Sequence, residues 1–396
     1  MSEEITRIAA KGDGVTATGR HFAGAITGDV VSDEGTIIPG PHRVDPPCRH
    51  FGTCGGCQIQ QADDAALRQF VTERVAFAAE SQDIQVGQLL PTHLSPPRTR
   101  RRATLHGLKA GKGAVIGFRE GRSNRIVDMR ECHILAPELF ALVAPLRKLI
   151  ADHAGKQPID IALTLADQGV DCFLKNFAAE GLAATEALLE FAGTHGLARL
   201  AFDQGYGAET VWEPNPVTIT LGQVPVGMPH NSFLQPTRDG EDLLVGDARD
   251  FVTGANTVAD LFSGLGTFAF ALAGPAKVLA VEAARDAFLA CKGAANGHGV
   301  PVHAMHRDLF RNPLTAEEIG RFGAVVLDPP RAGAREQVAQ IAASEAKRVA
   351  YVSCNPSSWA KDAKTLVEAG FRMEKLRPVG QFRWSTHVEL ASYFTR

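Results

Sequence analysis

The sequence has no run of eighteen apolar residues, so no membrane-crossing helix is expected. Its opening residues, Met1-Ser-Glu-Glu-Ile-Thr-Arg7, lack the basic and then apolar pattern of a secretory leader, and a cytoplasmic location is the expectation. The seven cysteines, at 48, 54, 57, 132, 172, 291 and 354, form an odd and unevenly spaced set, which argues against a disulfide framework. No internal repeat or low-complexity segment is evident. No excess of charge dominates either: charged residues make up 21% and the net charge is −3.

What is present is ordinary globular composition, 45% apolar over 396 residues, enough for two or three domains with a large core. The charge is unevenly spread. Between Arg98 and Arg130 stand ten Lys or Arg against only Glu120 and Asp128. A solvated face is the ordinary meaning of a short charge run. Here the cations are interleaved with strand-like Ala114-Val-Ile-Gly-Phe118 and Arg125-Ile-Val-Asp128, which suits a polyanion better.

Three strand ends carry chemistry. Val349 to Ser353 run straight into Cys354, and Asn355-Pro356 then break the strand. Ala324-Val-Val-Leu does the same for Asp328. Val258-Ala-Asp-Leu-Phe-Ser-Gly-Leu-Gly-Thr-Phe268 reads as a strand, a glycine turn and a helix start. Open α/β sheets place their ligands at such carboxyl ends, so these three mark an enzyme site. Strands expected near 257–262, 277–282, 301–306, 324–328 and 348–353 alternate with helices, implying a mostly parallel, doubly wound sheet. Strands near 372–379 and 388–394 follow as a hairpin.

Upstream, residues 1–45 read as short strands cut by glycines, a small barrel or a simple β extension. Cys48, Cys54 and Cys57 follow, spaced C-x5-C-x2-C and softened by Gly52, Gly55 and Gly56, so that three thiolates can face one centre. Cys132 is the best fourth ligand, with His50 and His133 as bystanders. On spacing alone zinc and an iron–sulfur cluster fit equally. Residues 62–82 form a helix by their periodicity, and the stretch from Ala103 to about Pro229 is dominated by strands.

The turn Ser263-Gly-Leu-Gly-Thr267 does not fit G-x-G-x-x-G, so a dinucleotide is disfavoured. Glu282 is placed to bond a ribose diol and Asp308 to accept from an adenine amino group. Without a pyrophosphate to hold, this set favours S-adenosylmethionine.

Several motifs together resemble the RNA 5-methyluridine methyltransferases of the iron–sulfur, ribosomal-RNA type. They are Asn231-Ser-Phe-Leu-Gln-Pro236, Asp260-Leu-Phe-Ser-Gly-Leu-Gly-Thr-Phe268, Asp328-Pro-Pro-Arg-Ala-Gly333, Val352-Ser-Cys-Asn-Pro356 and His387-Val-Glu389. The resemblance implies an α/β fold with a Rossmann-like class I methyltransferase domain at 231–396. It implies a β-rich, cluster-bearing RNA-binding domain at 46–230 and a short TRAM-like β segment at 1–45. It gives Gln235, Phe262, Thr267, Glu282, Asp308 and Asp328 as S-adenosylmethionine contacts, Cys354 as nucleophile and Glu389 as base. It gives Cys48, Cys54, Cys57 and Cys132 as ligands of a [4Fe–4S] cluster. Ser263 and Thr267 stand where many relatives have Cys and Asn, without loss of a required charge. The expected substrate is RNA, 23S ribosomal RNA foremost, with transfer RNA the alternative, and a monomer with no obligate protein partner is expected. A thiolate-favouring environment around Cys354 is expected too. Two rivals are an amino-group methyltransferase, against which Arg331 stands where an aromatic usually follows the prolines, and a non-catalytic RNA-binding factor retaining the fold.

Overall fold

The computed structural model describes residues 2–178 and 181–396. Five short strands come first: β1 (Glu3–Ile8), β2 (Gly14–Thr16), β3 (His21–Phe22), β4 (Val30–Val31) and β5 (Ile37–Ile38). They pair in the order β3-β2-β1-β4-β5, an open sheet whose edge strands are two residues long. Its own apolar core is little more than Ile5, Ala25 and Val31. The buried Asp29 carboxylate adds to it, accepting from the Ile26 and Gly40 N–H groups and pairing with Arg43.

Next come α1 (Asp64–Glu80), β6 (Val86–Leu89) and β7 (His93–Leu94). A six-stranded sheet follows, built from β8 (Arg102–Ala110), β9 (Gly113–Gly117), β10 (Ile159–Ala166), β11 (Gly169–Lys175), β12 (Arg199–Asp203) and β13 (Ala208–Trp212). Helices α2 (Pro137–Ala141), α3 (Val143–His153) and α4 (Leu182–Thr194) accompany it, and the hairpin β14 (Thr218–Leu221) and β15 (Val224–Gly227) leads out.

The C-terminal part alternates strand and helix: α5 (Arg238–Val252), β16 (Thr257–Leu261), α6 (Thr267–Leu272), β17 (Lys277–Glu282), α7 (Arg285–His298), β18 (Val302–His306), α8 (Ala316–Ile319), β19 (Ala324–Leu327), α9 (Arg335–Ala343), β20 (Arg348–Ser353), α10 (Pro356–Glu368), β21 (Arg372–Gly380) and β22 (Glu389–Thr395). The sheet runs β18-β17-β16-β19-β20-β22-β21-β6. Its first five strands are parallel, and β22 is antiparallel to both neighbours. The doubly wound α/β expectation is met. β19 is buried at all four residues and β20 at five of six, which is why they read as apolar runs rather than alternating strands.

Chain order reverses between β16 and β19, which sends successive connections to opposite faces and opens a crevice beyond the carboxyl ends of these strands. By packing, α1, β6 and β7 belong to this sheet: β6 and β7 pair parallel to β21, and α1 lies against α10 and β21. Among the described residues no helix is long and apolar enough to cross a membrane.

Candidate active site

Each strand end delivers its side chain to the crevice for a local reason. Beyond β16, Phe262, Gly264 and Gly266 all have positive φ (62°, 54° and 96°), so the backbone doubles back tightly before α6. At Gly266 a Cβ would lie 2.7 Å from the Phe270 ring, which leaves glycine the fitting residue there. Phe262 is the non-glycine residue in this strained turn; its ring stands 5.3 Å from that of Phe310, forming an aromatic edge. At the end of β17, both Glu282 oxygens are held by backbone N–H groups, Oε2 by Gly264 (2.9 Å) and Oε1 by Ala284 (2.6 Å). The Asp308 carboxylate accepts from the Phe310 N–H.

Cys354 follows β20 and precedes α10, which begins with Asn355 as N-cap and Pro356 in its first turn. The Asn355 side chain also donates to the Arg331 carbonyl (2.8 Å), fixing the Asp328-Pro-Pro-Arg331 loop beside the thiol. Asp328 and Glu389, at the ends of β19 and β22, complete the group.

One cavity of about 1190 Å³ takes in Phe262, Glu282, Asp308, Asp328, Cys354 and Glu389. Gln235 lies behind it, buried, and Thr267 opens α6 without lining it. The far wall comes from the central region, with Arg100, Arg102 and Phe118. Arg102 lies over the exposed Phe233 ring (5.3 Å) at the cavity mouth.

The electrostatics are dominated by buried acids. Burial, reinforced by the charge of Asp328, raises the proton affinity of Glu389. Burial also raises that of Asp328, which a hydrogen bond from Gln235 opposes. Cys354 is pushed up to about 11 by burial and by the charges of Glu389 and Asp328, against the pull of Arg331. The expected thiolate-favouring environment is therefore not what the chain's own groups provide: burial disfavours the thiolate first, and two carboxylates add to it against one guanidinium.

Sequence reasoning missed Gln381. It is buried and joins Gln235 to Glu389 by amide hydrogen bonds of 3.0 and 3.1 Å. No motif spacing could reveal a pair 146 residues apart. Sequence reasoning also counted Arg101 among the ten cations suited to a polyanion. The structure buries it against Glu241 and the Gln235 carbonyl, so it braces the site from within.

Cys48, Cys54, Cys57 and Cys132 line one small pocket together with Phe118 and Met129. Gly55 and Gly56 let the loop wrap closely; a Cβ at Gly56 would meet the Phe118 ring at 3.2 Å and Cys54 Sγ at 3.5 Å. Among the described residues no three acid, His or Cys side chains already stand in a metal-holding arrangement. His50 Nε2 accepts from the Arg130 N–H, so that imidazole is engaged elsewhere.

Residues 304–396 match the family described as tRNA (uracil-5-)-methyltransferase. Over 395 residues, covering 100% of both chains, the protein is 47% identical to an uncharacterised RNA methyltransferase of Zymomonas mobilis. It is 31% identical over 360 residues to the 23S rRNA (uracil(1939)-C(5))-methyltransferase RlmD of Enterobacter sp., covering 88% of this chain and 81% of that one. The tRNA (uracil-54, C5)-methyltransferase of Pyrococcus abyssi, solved with S-adenosyl-L-homocysteine, has the same fold: TM-score 0.78 over 100% of this chain and 99% of its own, at 20% identity. The chain belongs to the RNA (uracil-C5-)-methyltransferase family.

Proposed function

We propose that this enzyme methylates carbon 5 of a uridine in 23S ribosomal RNA, with Cys354 as nucleophile and Glu389 as base. The observation that carries the reading is the single cavity shared by Cys354, Asp328, Glu389 and the glycine-turn edge with Phe262 and Glu282. Support for the RNA class comes from the name of the Enterobacter relative.

Carbon 5 of uracil is too weakly nucleophilic to react unaided. Addition of the Cys354 thiolate at carbon 6 turns the ring into an enolate whose carbon 5 can attack. S-adenosylmethionine, when bound, supplies the electrophilic methyl on its sulfonium. Glu282 would hold its ribose diol and Asp308 its adenine amino group, with Phe262 and Asp328 completing the set; Gln235, buried behind the wall, would reach the ligand only through its hydrogen bond to Asp328, and Thr267, off the cavity lining, is given no contact. After methylation Glu389 takes the proton from carbon 5, the ring double bond re-forms and the thiolate leaves. A carboxylate whose proton affinity is raised by burial is suited to that removal near neutral pH.

The target base must be splayed or flipped to reach Cys354, at roughly a few kcal/mol. We assign the holding of RNA to residues 46–230, apart from α1, β6 and β7, which pack on the C-terminal sheet, and to the TRAM-like segment 1–45; Arg102 and Phe118 of the former face the cavity. Residues 231–396 then carry the transfer. Cys48, Cys54, Cys57 and Cys132 would hold a [4Fe–4S] cluster, which shapes this surface; four thiols on one glycine-softened pocket support that assignment.

The test is to map 5-methyluridine in total RNA from cells with and without the gene. Loss of one site in 23S RNA is the expected result. Loss in transfer RNA alone, or no loss, overturns the substrate assignment.

A further inference from the structure

We propose that Gln381 is a positioning residue for proton removal, its amide holding the Glu389 carboxylate and tying it through Gln235 to Asp328. This rests on the reading of Glu389 as the base.

Gln381 sits just beyond β21 and is 2% exposed. Its Nε2 donates to Glu389 Oε2 (3.1 Å) and to Gln235 Oε1 (3.0 Å), and Gln235 Nε2 donates to Asp328 Oδ2 (3.0 Å). Its Oε1 accepts from the Thr237 hydroxyl (3.5 Å), which also meets Ser95 Oγ at 2.9 Å. Both amide hydrogens and the oxygen are thus engaged. Flipping the amide would turn its oxygen toward the carboxylate and the Gln235 carbonyl, two acceptors. The relay therefore has one polarity, with N–H groups facing a carboxylate at each end. Among the described residues Glu389 Oε1 has no hydrogen-bond partner, which leaves it for the substrate.

A second observation is independent of these bonds. A Cβ at Gly240, the third residue of α5, would lie 2.6 Å from Gln381 Cγ and Cδ. The helix keeps a glycine where the Gln381 side chain needs the space.

In the step served, Glu389 takes the carbon 5 proton and the freed C–H electron pair forms the C5=C6 double bond. The C6–S bond breaks and its pair returns to the Cys354 sulfur. The other titratable or charged groups facing this point are Asp328 beyond β19, Cys354 beyond β20, Arg331 in the loop after Asp328, and His387 before β22. An amide N–H on one oxygen favours the charged form and fixes its direction.

The experiment compares Gln381→Met, which keeps length and loses the hydrogen bonds, with Gly240→Ala, whose methyl displaces the amide. Purified full-length variants are given S-adenosylmethionine with a labelled methyl and total RNA from cells lacking the gene. Both variants should lose about 10²-fold in kcat with little change in KM, as expected for a displaced catalytic group. A denaturation-resistant protein–RNA adduct should accumulate, and the lower limb of the pH profile should move up. Should Gln381→Met fail to fold, Gly240→Ala decides. Glu389→Gln is run beside them. If it turns over normally, the base assignment falls, and the inference with it. If it stalls while the other two show no adduct and an unshifted pH profile, the inference alone falls.

Discussion

Replacing Glu389 by glutamine should make the protein more stable at pH 8 and leave its stability unchanged near pH 4. Glu389 is 3% exposed, and burial followed by the charge of Asp328 raises its proton affinity in the folded state. Below the ordinary carboxylate range, folded and unfolded chains both carry the proton and the neutral glutamine gains nothing. As pH rises, the unfolded chain releases its proton while the folded chain retains it, so glutamate loses stability until the folded group also ionises. Each pKa unit of displacement corresponds to about 1.4 kcal/mol. The Gln381 N–H offsets part of the burial, so about 2–4 kcal/mol is expected at pH 8. The substitution is isosteric and its amide oxygen can still accept from Gln381. Thermal melts at pH 4.5, 6, 7 and 8 measure it. Trp359, buried and bonded to Ser392 on β22, makes tryptophan fluorescence sensitive to this sheet. A gain that does not grow with pH, or a loss at pH 8, would refute the reasoning.

Cys354→Ala should abolish methylation while calorimetry still detects S-adenosylmethionine binding, because the thiol serves the acceptor; an active variant would sink the mechanism. With Cys354 pushed up to about 11, wild-type activity should climb between pH 7 and 9, and a profile falling over that range contradicts the thiolate step. Protein purified without air should be brown with iron and sulfide near four each, in keeping with the cluster type. Cys48→Ser or Cys132→Ser should lose colour and stability together, whereas stoichiometric zinc without sulfide excludes the cluster. Arg101→Ala strands the buried Glu241 and should cost about 3–5 kcal/mol in urea titrations; a cost under about 1 kcal/mol would show the pair idle.

Much of the catalytic edge was legible because parallel strands covered on both faces must be apolar throughout. Val349–Ser353 and Ala324–Leu327 therefore announce themselves, and whatever breaks each run stands at its carboxyl end. Local turn chemistry likewise exposed the glycine turn after β16. Pairings set by distance were hidden. The short β6, four residues with a glycine and mostly exposed, gives no strand signal of its own, and its partner Met373 lies far along the chain. Charge counting failed at Arg101 for the same reason, since a sum over neighbours cannot see Glu241 across 140 positions.

Glu389 shows where local patterning misleads. By residue type Val388, Glu389 and Leu390 alternate apolar, charged and apolar, the pattern of a strand with the acid on one face. In the structure β22 is buried at six of its seven residues, so neither face is solvent and alternation carries no meaning. A carboxylate at the head of such a strand must either share a proton or find a donor. Here burial, then the charge of Asp328, favours the proton, and Gln381 supplies an N–H. The two influences oppose each other, and that opposition suits the chemistry. A base held fully ionised by strong donors would have little affinity for the carbon 5 proton, whereas one left to burial alone would already carry a proton at neutral pH. A single amide donor between these limits leaves Glu389 able to receive the proton once carbon 5 has been methylated.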